Sequence, residues 1–142
     1  MKGMLESMPF YFWVNSMSVA QLQSRHLILF DLDGTLVDSA ADLYRAMNLS
    51  LEKLQFPLVT EEQVRAWVGK GAAKLCETVL EHIFGQVNTE QQKQLLDTFV
   101  DIYAQELCVN TQVYTGILPF LDYCQSHNIV MACVTNKPEH LA

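Results

Sequence analysis

Basic residues are scarce in this sequence. Nine Lys and Arg residues stand against 16 Asp and Glu residues, and the formal net charge is −7. Proteins that bind nucleic acid or an anionic membrane need clustered basic residues to neutralise phosphate groups. We therefore expect neither nucleic acid nor a membrane as the main partner. A small phosphorylated metabolite fits this charge balance, because it needs only a few local donors and a metal ion.

Long apolar runs are also missing, since none reaches the roughly 18 residues that cross a membrane as a helix. The first 20 residues loosely resemble a signal peptide. However, Glu6 interrupts the front of this segment, and Asn15 follows a short apolar patch. We interpret residues 1–26 as an N-terminal extension that is disordered or loosely docked, with Met17 as a plausible true start.

Cysteine occurs without a pattern that predicts a metal site or a disulfide framework. The four cysteines, at positions 76, 108, 124 and 133, include no C-x-x-C pair. No Cys/His cluster has the spacing of zinc ligands. We expect reduced, mostly buried thiols, as in a cytoplasmic protein.

Two short apolar runs predict buried parallel strands, residues 27–30 (LILF) and residues 129–135 (IVMACVT). Between them, apolar residues at helical spacing predict five helices. Capping-box patterns mark three of the helix starts, at Ser39, Thr60 and Thr89. The helices are expected to end before Pro57, at Gly69, at Gly85, near Leu107 and near residue 127.

This order of elements predicts an α/β fold with a partial Rossmann-like parallel sheet core and an inserted α-helical cap. Residues 27–39 and 111–142 would form the partial core, and residues 40–110 would form the cap. Two strands do not make a stable sheet by themselves. We therefore expect the chain to be a C-terminally truncated fragment of a longer protein.

Two acids follow the first predicted strand directly. Asp31 and Asp33 point to the same side of the strand, and Gly34 lets the backbone turn away behind them. In an open parallel sheet, ligands bind at this carboxyl end of the strands. Two carboxylates this close need a cation, and Mg²⁺ prefers such hard oxygen ligands. One carboxylate could then attack phosphorus, and the other could act as general acid and base.

The same residues also fit two simpler interpretations. The segment DLDG at 31–34 could be a surface turn that contains acids, or it could belong to a calcium-binding loop. The further acidic ligands and the terminal Glu of an EF-hand loop are absent, and a predicted buried strand precedes the segment. The surface turn remains an open alternative on the residues alone.

Three segments resemble motifs of the haloacid-dehalogenase-like phosphohydrolases. LILFDLDGTLVDS at 27–39 resembles their first motif, and CVTNKP at 133–138 resembles their second. RAWVGKGAAKL at 65–75 resembles the cap loop of the phosphoglycolate phosphatase branch. The resemblance covers about residues 27–142 and implies the core and the small helical cap of that branch.

The resemblance implies roles for four residues. Asp31 would be the nucleophile and a Mg²⁺ ligand. Asp33 would be the general acid and base, and would bind the metal through its backbone carbonyl. Thr135 and the amide of Asn136 would hold the phosphate. An Asp at position 33 is typical of the phosphatases and phosphomutases of the superfamily.

Four further residues have less definite roles. Lys70 and Gly71 lie in a predicted glycine loop, which would either close over the substrate or only separate two helices. Arg65 could bind a substrate carboxylate, but an exposed helix arginine is the simpler interpretation. Lys137 is expected to be a loop residue near the mouth of the site, since the family's catalytic lysine comes from a later motif.

The sequence thus predicts a Mg²⁺-dependent phosphatase, a hydrolase that acts on a small phosphate monoester similar to 2-phosphoglycolate. The reaction would pass through an aspartyl-phosphate intermediate. One alternative is a sugar phosphomutase of the same superfamily. Another is a catalytically inactive fragment, because the later motifs of the family have no counterpart here. The oligomeric state is not predicted.

Overall fold

A computed structural model describes residues 11–14, 27–105 and 108–137 of the chain. The elements in chain order are β1 (Tyr11–Val14), β2 (Leu27–Phe30), β3 (Val37–Asp38), α1 (Ala40–Lys53), α2 (Glu61–Trp67), α3 (Ala72–Phe84), α4 (Thr89–Gln105), β4 (Gln112–Val113), α5 (Ile117–Ser126) and β5 (Val130–Thr135). This order confirms the predicted α/β class, with helices inserted between two strands of one sheet. No helix in the described ranges is long and apolar enough to span a membrane.

The main sheet has three strands in the order β1-β5-β2. β2 and β5 pair in parallel, with Leu27 opposite Val130 and Phe30 opposite Cys133. The two predicted strands are therefore parallel neighbours, as expected. Their carboxyl ends, which carry the candidate site residues, lie side by side at one edge of the sheet.

The expectation of a disordered or loosely docked N-terminal extension is wrong for residues 11–14. These residues form β1, which pairs antiparallel with β5, with Tyr11 opposite Thr135 and Val14 opposite Ala132. The free edge of β5 offers unpaired backbone groups, and the sequence YFWV has the aromatic and β-branched residues that favour strands. Residues 1–10 and 15–26 lie outside the described residues.

One face of β2 is less buried than the apolar run predicts. Leu27 and Leu29 are 54% and 57% exposed, whereas Ile28 and Phe30 on the other face are partly buried. Phe30 packs edge-on against Phe120 of α5, with ring centroids 6.2 Å apart. A parallel strand is buried on both faces only where elements cover both sides of the sheet. In the described part of the chain, α5 covers one side.

The main hydrophobic core lies among the helices α1 to α4. Its buried side chains come from successive helical turns, which explains the apolar periodicity of the sequence. They include Met47 and Leu51 of α1, Val64 of α2, Leu75, Cys76, Val79 and Leu80 of α3, and Leu95, Phe99 and Tyr103 of α4. These four helices, which correspond to the predicted cap, thus form a bundle with its own core.

The helix ends match the sequence patterns in part. Thr60 and Gln63 form the expected capping box, with reciprocal side-chain-to-backbone hydrogen bonds of 2.8 and 3.3 Å. The box predicted at Thr89 is wrong, because the side-chain oxygen of Asn88 accepts hydrogen bonds from the N–H groups of Glu90 and Gln91 instead. Asn is a preferred capping residue, and here it stands one position before Thr89.

The box predicted at Ser39 is also wrong. Ser39 precedes α1 but makes no side-chain capping hydrogen bond. Its hydroxyl donates to Asp33 instead, at 2.5 Å. This bond to an ionised carboxylate is stronger than a hydrogen bond between neutral groups.

Two short strands that the sequence did not predict lie in the two segments that connect the sheet to the helices. β3 and β4 pair antiparallel, with Val37 opposite Val113 and Asp38 opposite Gln112. The N–H of Tyr114 extends this pairing by donating to the carbonyl of Leu36 at 3.1 Å. A strand of two residues has no periodicity that a sequence pattern could reveal.

Candidate functional site

A cavity of about 50 Å³ lies where the carboxyl ends of β2 and β5 meet the helical bundle. Five polar residues come from the ends of these two strands: Asp31, Asp33, Thr135, Asn136 and Lys137. The helical side contributes a glycine loop, several apolar side chains and the phenol of Tyr103. The structure therefore brings the two acids and the two predicted phosphate-binding residues to one cavity.

A tight turn after β2 directs the two acids. The carbonyl of Leu32 accepts hydrogen bonds from the N–H groups of Leu36 and Val37, at 2.9 and 3.1 Å. The N–H of Gly34 donates to the carbonyl of Val37 at 2.8 Å. These hydrogen bonds form a tight turn directly after β2. Asp31 and Asp33 stand at the end of the strand and line the cavity.

The two carboxylates have different surroundings. Asp33 Oδ1 accepts hydrogen bonds from the Ser39 hydroxyl at 2.5 Å and from Lys137 Nζ at 3.4 Å. Asp31 is exposed. Within the described ranges, no residue forms a hydrogen bond or ion pair with its carboxylate. Asp33 is therefore held in place, whereas the carboxylate of Asp31 has no such partner among the described residues and could bind a cation.

The charges of the acids also act on the neighbouring strand. Burial raises the pKa of the Cys133 thiol, and the negative charges of Asp31 and Asp33 raise it further. Cys133 therefore stays a neutral thiol at physiological pH. All four cysteines are free, which agrees with the reduced state expected from the sequence.

Thr135 and Asn136 end β5 beside the acids. Thr135 is buried, and its hydroxyl oxygen accepts the N–H of Lys137 at 3.1 Å. Asn136 lies against Gly71 of the helical cap, where an added Cβ at Gly71 would come within 3.2 Å of Asn136 Cβ. The cap therefore closes on the strand end at this point with almost no spare room.

Lys137 lies in the loop after β5, as expected, but the expectation that it stands near the mouth of the site is wrong. Its side chain is 7% exposed and reaches into the wall of the cavity. Lys137 Nζ donates a hydrogen bond to Tyr103 Oη at 2.9 Å, besides its contact with Asp33. Burial lowers the pKa of Lys137, but the bond to Tyr103 and the charge of Asp33 outweigh it and raise the pKa above its ordinary value. The ammonium form is therefore the stable one.

Tyr103 is a site residue that its position in the sequence predicts only to lie on the apolar side of α4. Its ring stacks on Phe99, with the centroids 5.8 Å apart and the planes 4° from parallel. Burial raises the pKa of the phenol, while the neighbouring ammonium of Lys137 opposes this rise, and the net pKa lies above its ordinary value. No local pattern could identify Tyr103 as a site residue, because its polar partners lie far away in the sequence.

The two predicted cap-loop residues have different positions. Gly71 lines the cavity directly before α3, with φ at +85°. Lys70 is exposed and lies instead at a neighbouring open cleft between α3 and α4. The structure thus brings Gly71 to the acids and leaves Lys70 outside their cavity.

Arg65 is not among the residues that line the cavity. Its guanidinium contacts both carboxylate oxygens of Asp38, at 2.9 and 2.8 Å, and Glu61 at 3.1 Å. The hydrogen bond from Arg65 holds the pKa of Asp38 below its ordinary value. Arg65 therefore joins α2 to β3, and it is not positioned to bind a ligand carboxylate.

Asp31 and Asp33 are the acidic residues that line the cavity and could bind a metal ion. No group of three or more His, Cys, Asp or Glu residues that could hold a metal occurs in the ranges that the structure covers. Asp31 and Asp33 supply hard oxygen donors, and Asp31 has no competing partner there. The pair suits a cation that keeps several waters or ligand oxygens, as Mg²⁺ does.

Comparison with known proteins finds a consistent set of relatives. The family model described as haloacid dehalogenase-like hydrolase matches residues 28–141. A phosphoglycolate phosphatase from Pseudomonas savastanoi pv. phaseolicola is 43% identical over 115 residues, which cover 80% of this chain and 42% of the relative. A phosphoglycolate phosphatase from Haemophilus influenzae is 38% identical over 116 residues, covering 79% of this chain and 52% of the relative.

Solved structures agree with this match. The crystal structure of a predicted phosphoglycolate phosphatase from Haemophilus somnus aligns with a TM-score of 0.72 and 29% identity, over 80% of this chain and 52% of that one. A putative phosphoglycolate phosphatase from Lactobacillus delbrueckii aligns with a TM-score of 0.75 at 24% identity, over 82% of this chain and 56% of that one, which supports the fold alone. The chain spans about half the length of the curated relatives that it matches.

Proposed function

The chain belongs to the haloacid dehalogenase-like hydrolase family, and we propose that its site hydrolyses a small phosphate monoester similar to 2-phosphoglycolate. The observation that carries this proposal is the asymmetry of the two acids. Asp31, whose carboxylate has no partner in the part of the chain that the structure describes, stands beside the fixed carboxylate of Asp33, in the same cavity as Thr135 and Asn136. The free carboxylate suits a nucleophile, and the fixed one suits proton transfer.

In the proposed reaction, a carboxylate oxygen of Asp31 forms a bond to phosphorus while the bond from phosphorus to the ester oxygen breaks. Asp33, which takes up a proton from solvent when the substrate phosphate binds, gives that proton to the departing oxygen, so that the alcohol leaves neutral. Asp33 then takes a proton from a water molecule, whose oxygen attacks phosphorus and releases inorganic phosphate. Asp31 regains its carboxylate, and both acids return to their starting states.

The two phosphate-binding residues would act by position. Thr135 and the amide of Asn136 lie at the end of β5, which is the parallel neighbour of β2, and both residues line the same cavity as Asp31. From there they can hold the oxygens of a phosphate whose phosphorus faces Asp31. Holding the reacting atoms in line is a large part of catalysis in phosphoryl transfer.

Mg²⁺ is the proposed cofactor because the donor set and the charge of the cavity fit it. Asp31, Asp33 and Lys137 are the charged residues in the lining, so the cavity carries one net negative charge. A phosphate dianion would be repelled there without a further cation. The Asp31 carboxylate and the backbone carbonyl of Asp33 would hold Mg²⁺, which would supply charge neutralisation for the phosphate.

The names of the relatives favour a small substrate. Those that are 43% and 38% identical to this chain are called phosphoglycolate phosphatases, after a two-carbon acid that carries one phosphate group. We therefore propose the phosphatase before the sugar phosphomutase. A cytoplasmic location would suit such a metabolite and the free cysteines.

The test is hydrolysis of 2-phosphoglycolate with Mg²⁺, measured as released inorganic phosphate, for the unmodified chain and for Asp31→Asn. The variant should lose about 10³-fold or more of the rate, since it removes the nucleophile at nearly constant shape. Asp97→Asn, which alters an exposed acid paired with Lys93, serves as the matched control and should keep the full rate. Equal turnover by Asp31→Asn would contradict the nucleophile assignment, and absence of turnover in all three proteins would support the inactive alternative.

Glucose 6-phosphate and glucose 1-phosphate test the mutase alternative in the same assay. Conversion of one sugar phosphate into the other without release of inorganic phosphate would favour the mutase. We expect neither conversion nor hydrolysis of these sugars at a rate that approaches the rate with 2-phosphoglycolate.

A further inference from the structure

A buried ammonium group links the helical cap to the acids of the strand end. Lys137 Nζ lies 2.9 Å from Tyr103 Oη and 3.4 Å from Asp33 Oδ1. The Lys137 side chain is 7% exposed, and Tyr103 is 2% exposed. Lysine is almost never this buried unless it is paired. Here one partner comes from the sheet side and the other from α4 of the cap.

The position of Tyr103 is fixed by packing. Its ring stacks on Phe99, and both residues belong to the hydrophobic core of the four-helix cap. The phenol oxygen is therefore a rigid acceptor at the cap surface that faces the strand ends. A flexible lysine that bonds to such an acceptor loses most of its conformational freedom before any ligand arrives.

The geometry leaves the ammonium with bonding capacity. A lysine ammonium has three N–H donors and no acceptor. In the part of the chain that the structure describes, Tyr103 and Asp33 account for two of these donors. Lys137 also lines the cavity, together with Thr135 and Asn136. The third donor is thus available to an oxyanion in the cavity.

We infer that Tyr103 is a positioning residue that holds the Lys137 ammonium beside Asp33, where Lys137 binds a phosphate oxygen. The inference rests on the proposed function only in that the same cavity receives the phosphate. It makes Lys137, the residue that follows Asn136, a cationic ligand of the phosphate. It also makes phosphate binding depend on the cap, because the acceptor that orients the ammonium lies on α4.

Calorimetric titration with inorganic phosphate at a fixed Mg²⁺ concentration tests the inference. Lys137→Met should weaken phosphate binding about tenfold or more, since it removes a charge-assisted hydrogen bond to the phosphate. Tyr103→Phe keeps the stacked ring and removes only the acceptor, and should weaken binding about threefold or more. Adding Tyr103→Phe to Lys137→Met should cause no further loss, because Tyr103 acts through Lys137.

Two matched controls separate this role from a general loss of stability. Lys93→Met removes an exposed lysine that pairs with Asp97, and Tyr123→Phe removes an exposed hydroxyl on α5. Both should bind phosphate as tightly as the unmodified chain. A chain that binds no phosphate, a Lys137→Met variant that binds normally, or a further loss in the double variant would each overturn the inference.

The reactivity of Lys137 gives a second readout that needs no ligand. In the unmodified chain, acetic anhydride should modify Lys137 far more slowly than Lys93, as measured by mass spectrometry of the peptides. Tyr103→Phe should raise the rate at Lys137 and leave Lys93 unchanged. Unchanged Lys137 reactivity would show that the phenol does not hold the ammonium. These readouts do not depend on hydrolysis, so the inference and the proposed function can fail separately.

Discussion

Asp42 and Thr111 are joined by two hydrogen bonds that connect the two chain crossings between sheet and cap. Asp42 Oδ2 accepts the backbone N–H of Thr111 at 2.8 Å and its hydroxyl at 2.6 Å. Asn110 adds its backbone and side-chain N–H groups to the same carboxylate. Asp42 is 3% exposed, so this charged group is buried and bonded only to donors. It fixes the start of α1 to the segment that returns from α4.

The first prediction concerns this carboxylate. Asp42→Asn should reduce the free energy of unfolding by about 2–4 kcal/mol, because an amide NH₂ group would face donors and leave them unpaired. Urea denaturation measures the change. Asp97→Asn, an exposed acid, should change it by less than about 0.5 kcal/mol. Equal stability of Asp42→Asn and the unmodified chain would show that the two crossings are held by other contacts.

The second prediction is the pH dependence of this contribution. Burial raises the pKa of Asp42, but the hydrogen bonds from Thr111 and Asn110 outweigh it and lower the pKa below its ordinary value of 3.8. The folded state therefore holds fewer protons than the unfolded state when the pH is near and below 3.8. The stability that Asp42 contributes is complete above that pH and is lost as the pH falls through the folded-state pKa.

The stability difference between the unmodified chain and Asp42→Asn should consequently be largest near neutral pH and shrink in acid. Urea denaturation at a series of pH values from 7 down to 2.5 measures it. A difference that stays constant over this range would contradict the lowered pKa of Asp42.

The third prediction compares two glycines of the cap loop. Gly69 and Gly71 have φ values of +108° and +85°, which residues other than glycine rarely adopt. Of the two, only Gly71 faces Asn136. Replacement by alanine should cost about 1–3 kcal/mol of stability at either position. Only Gly71→Ala should also weaken binding of inorganic phosphate, by about fivefold, because its Cβ would displace Asn136.

Titration of both variants with phosphate, under conditions in which both are folded, measures this contrast. Gly69→Ala is the control, since an added Cβ there meets no atom within 4 Å. Equal phosphate binding by the two variants would remove Asn136 from the phosphate site.

The sequence predicts well what is encoded locally. The run LILF followed by two acids predicts a strand whose carboxyl end carries Asp31 and Asp33, and β2 ends there. Helical periodicity likewise predicts α1 to α4, and their apolar faces form the core. These features depend on residues a few positions apart, where backbone geometry alone sets which side chains share a face.

Contacts between distant residues were not predictable in this way. Lys137 and Tyr103 are 34 positions apart, and Asp42 and Asn110 are 68 positions apart. Such pairs form only when the bundle docks on the strand ends, and no periodic pattern marks them. The pairing of β1 with β5 also depends on which segment reaches a free sheet edge, which is a property of the whole fold.

A contact that exists only in the folded chain accounts for a further error. Ser39 matches the pattern of a helix cap, and it precedes α1 as expected. Its hydroxyl bonds to the Asp33 carboxylate because that acceptor lies within reach only in the folded turn. The pattern thus located the helix start correctly and assigned the side chain to the wrong partner.

The most direct test of the central claim is the detection of a phosphoryl group on Asp31. The protein is mixed with ³²P-labelled phosphate ester and Mg²⁺, quenched in acid and digested, and the labelled peptide is identified. We predict a label on the peptide that contains Asp31, stable in acid and released by hydroxylamine as an acyl phosphate is, and absent from Asp31→Asn. Turnover with no such label, or a label that persists in Asp31→Asn, would contradict the account.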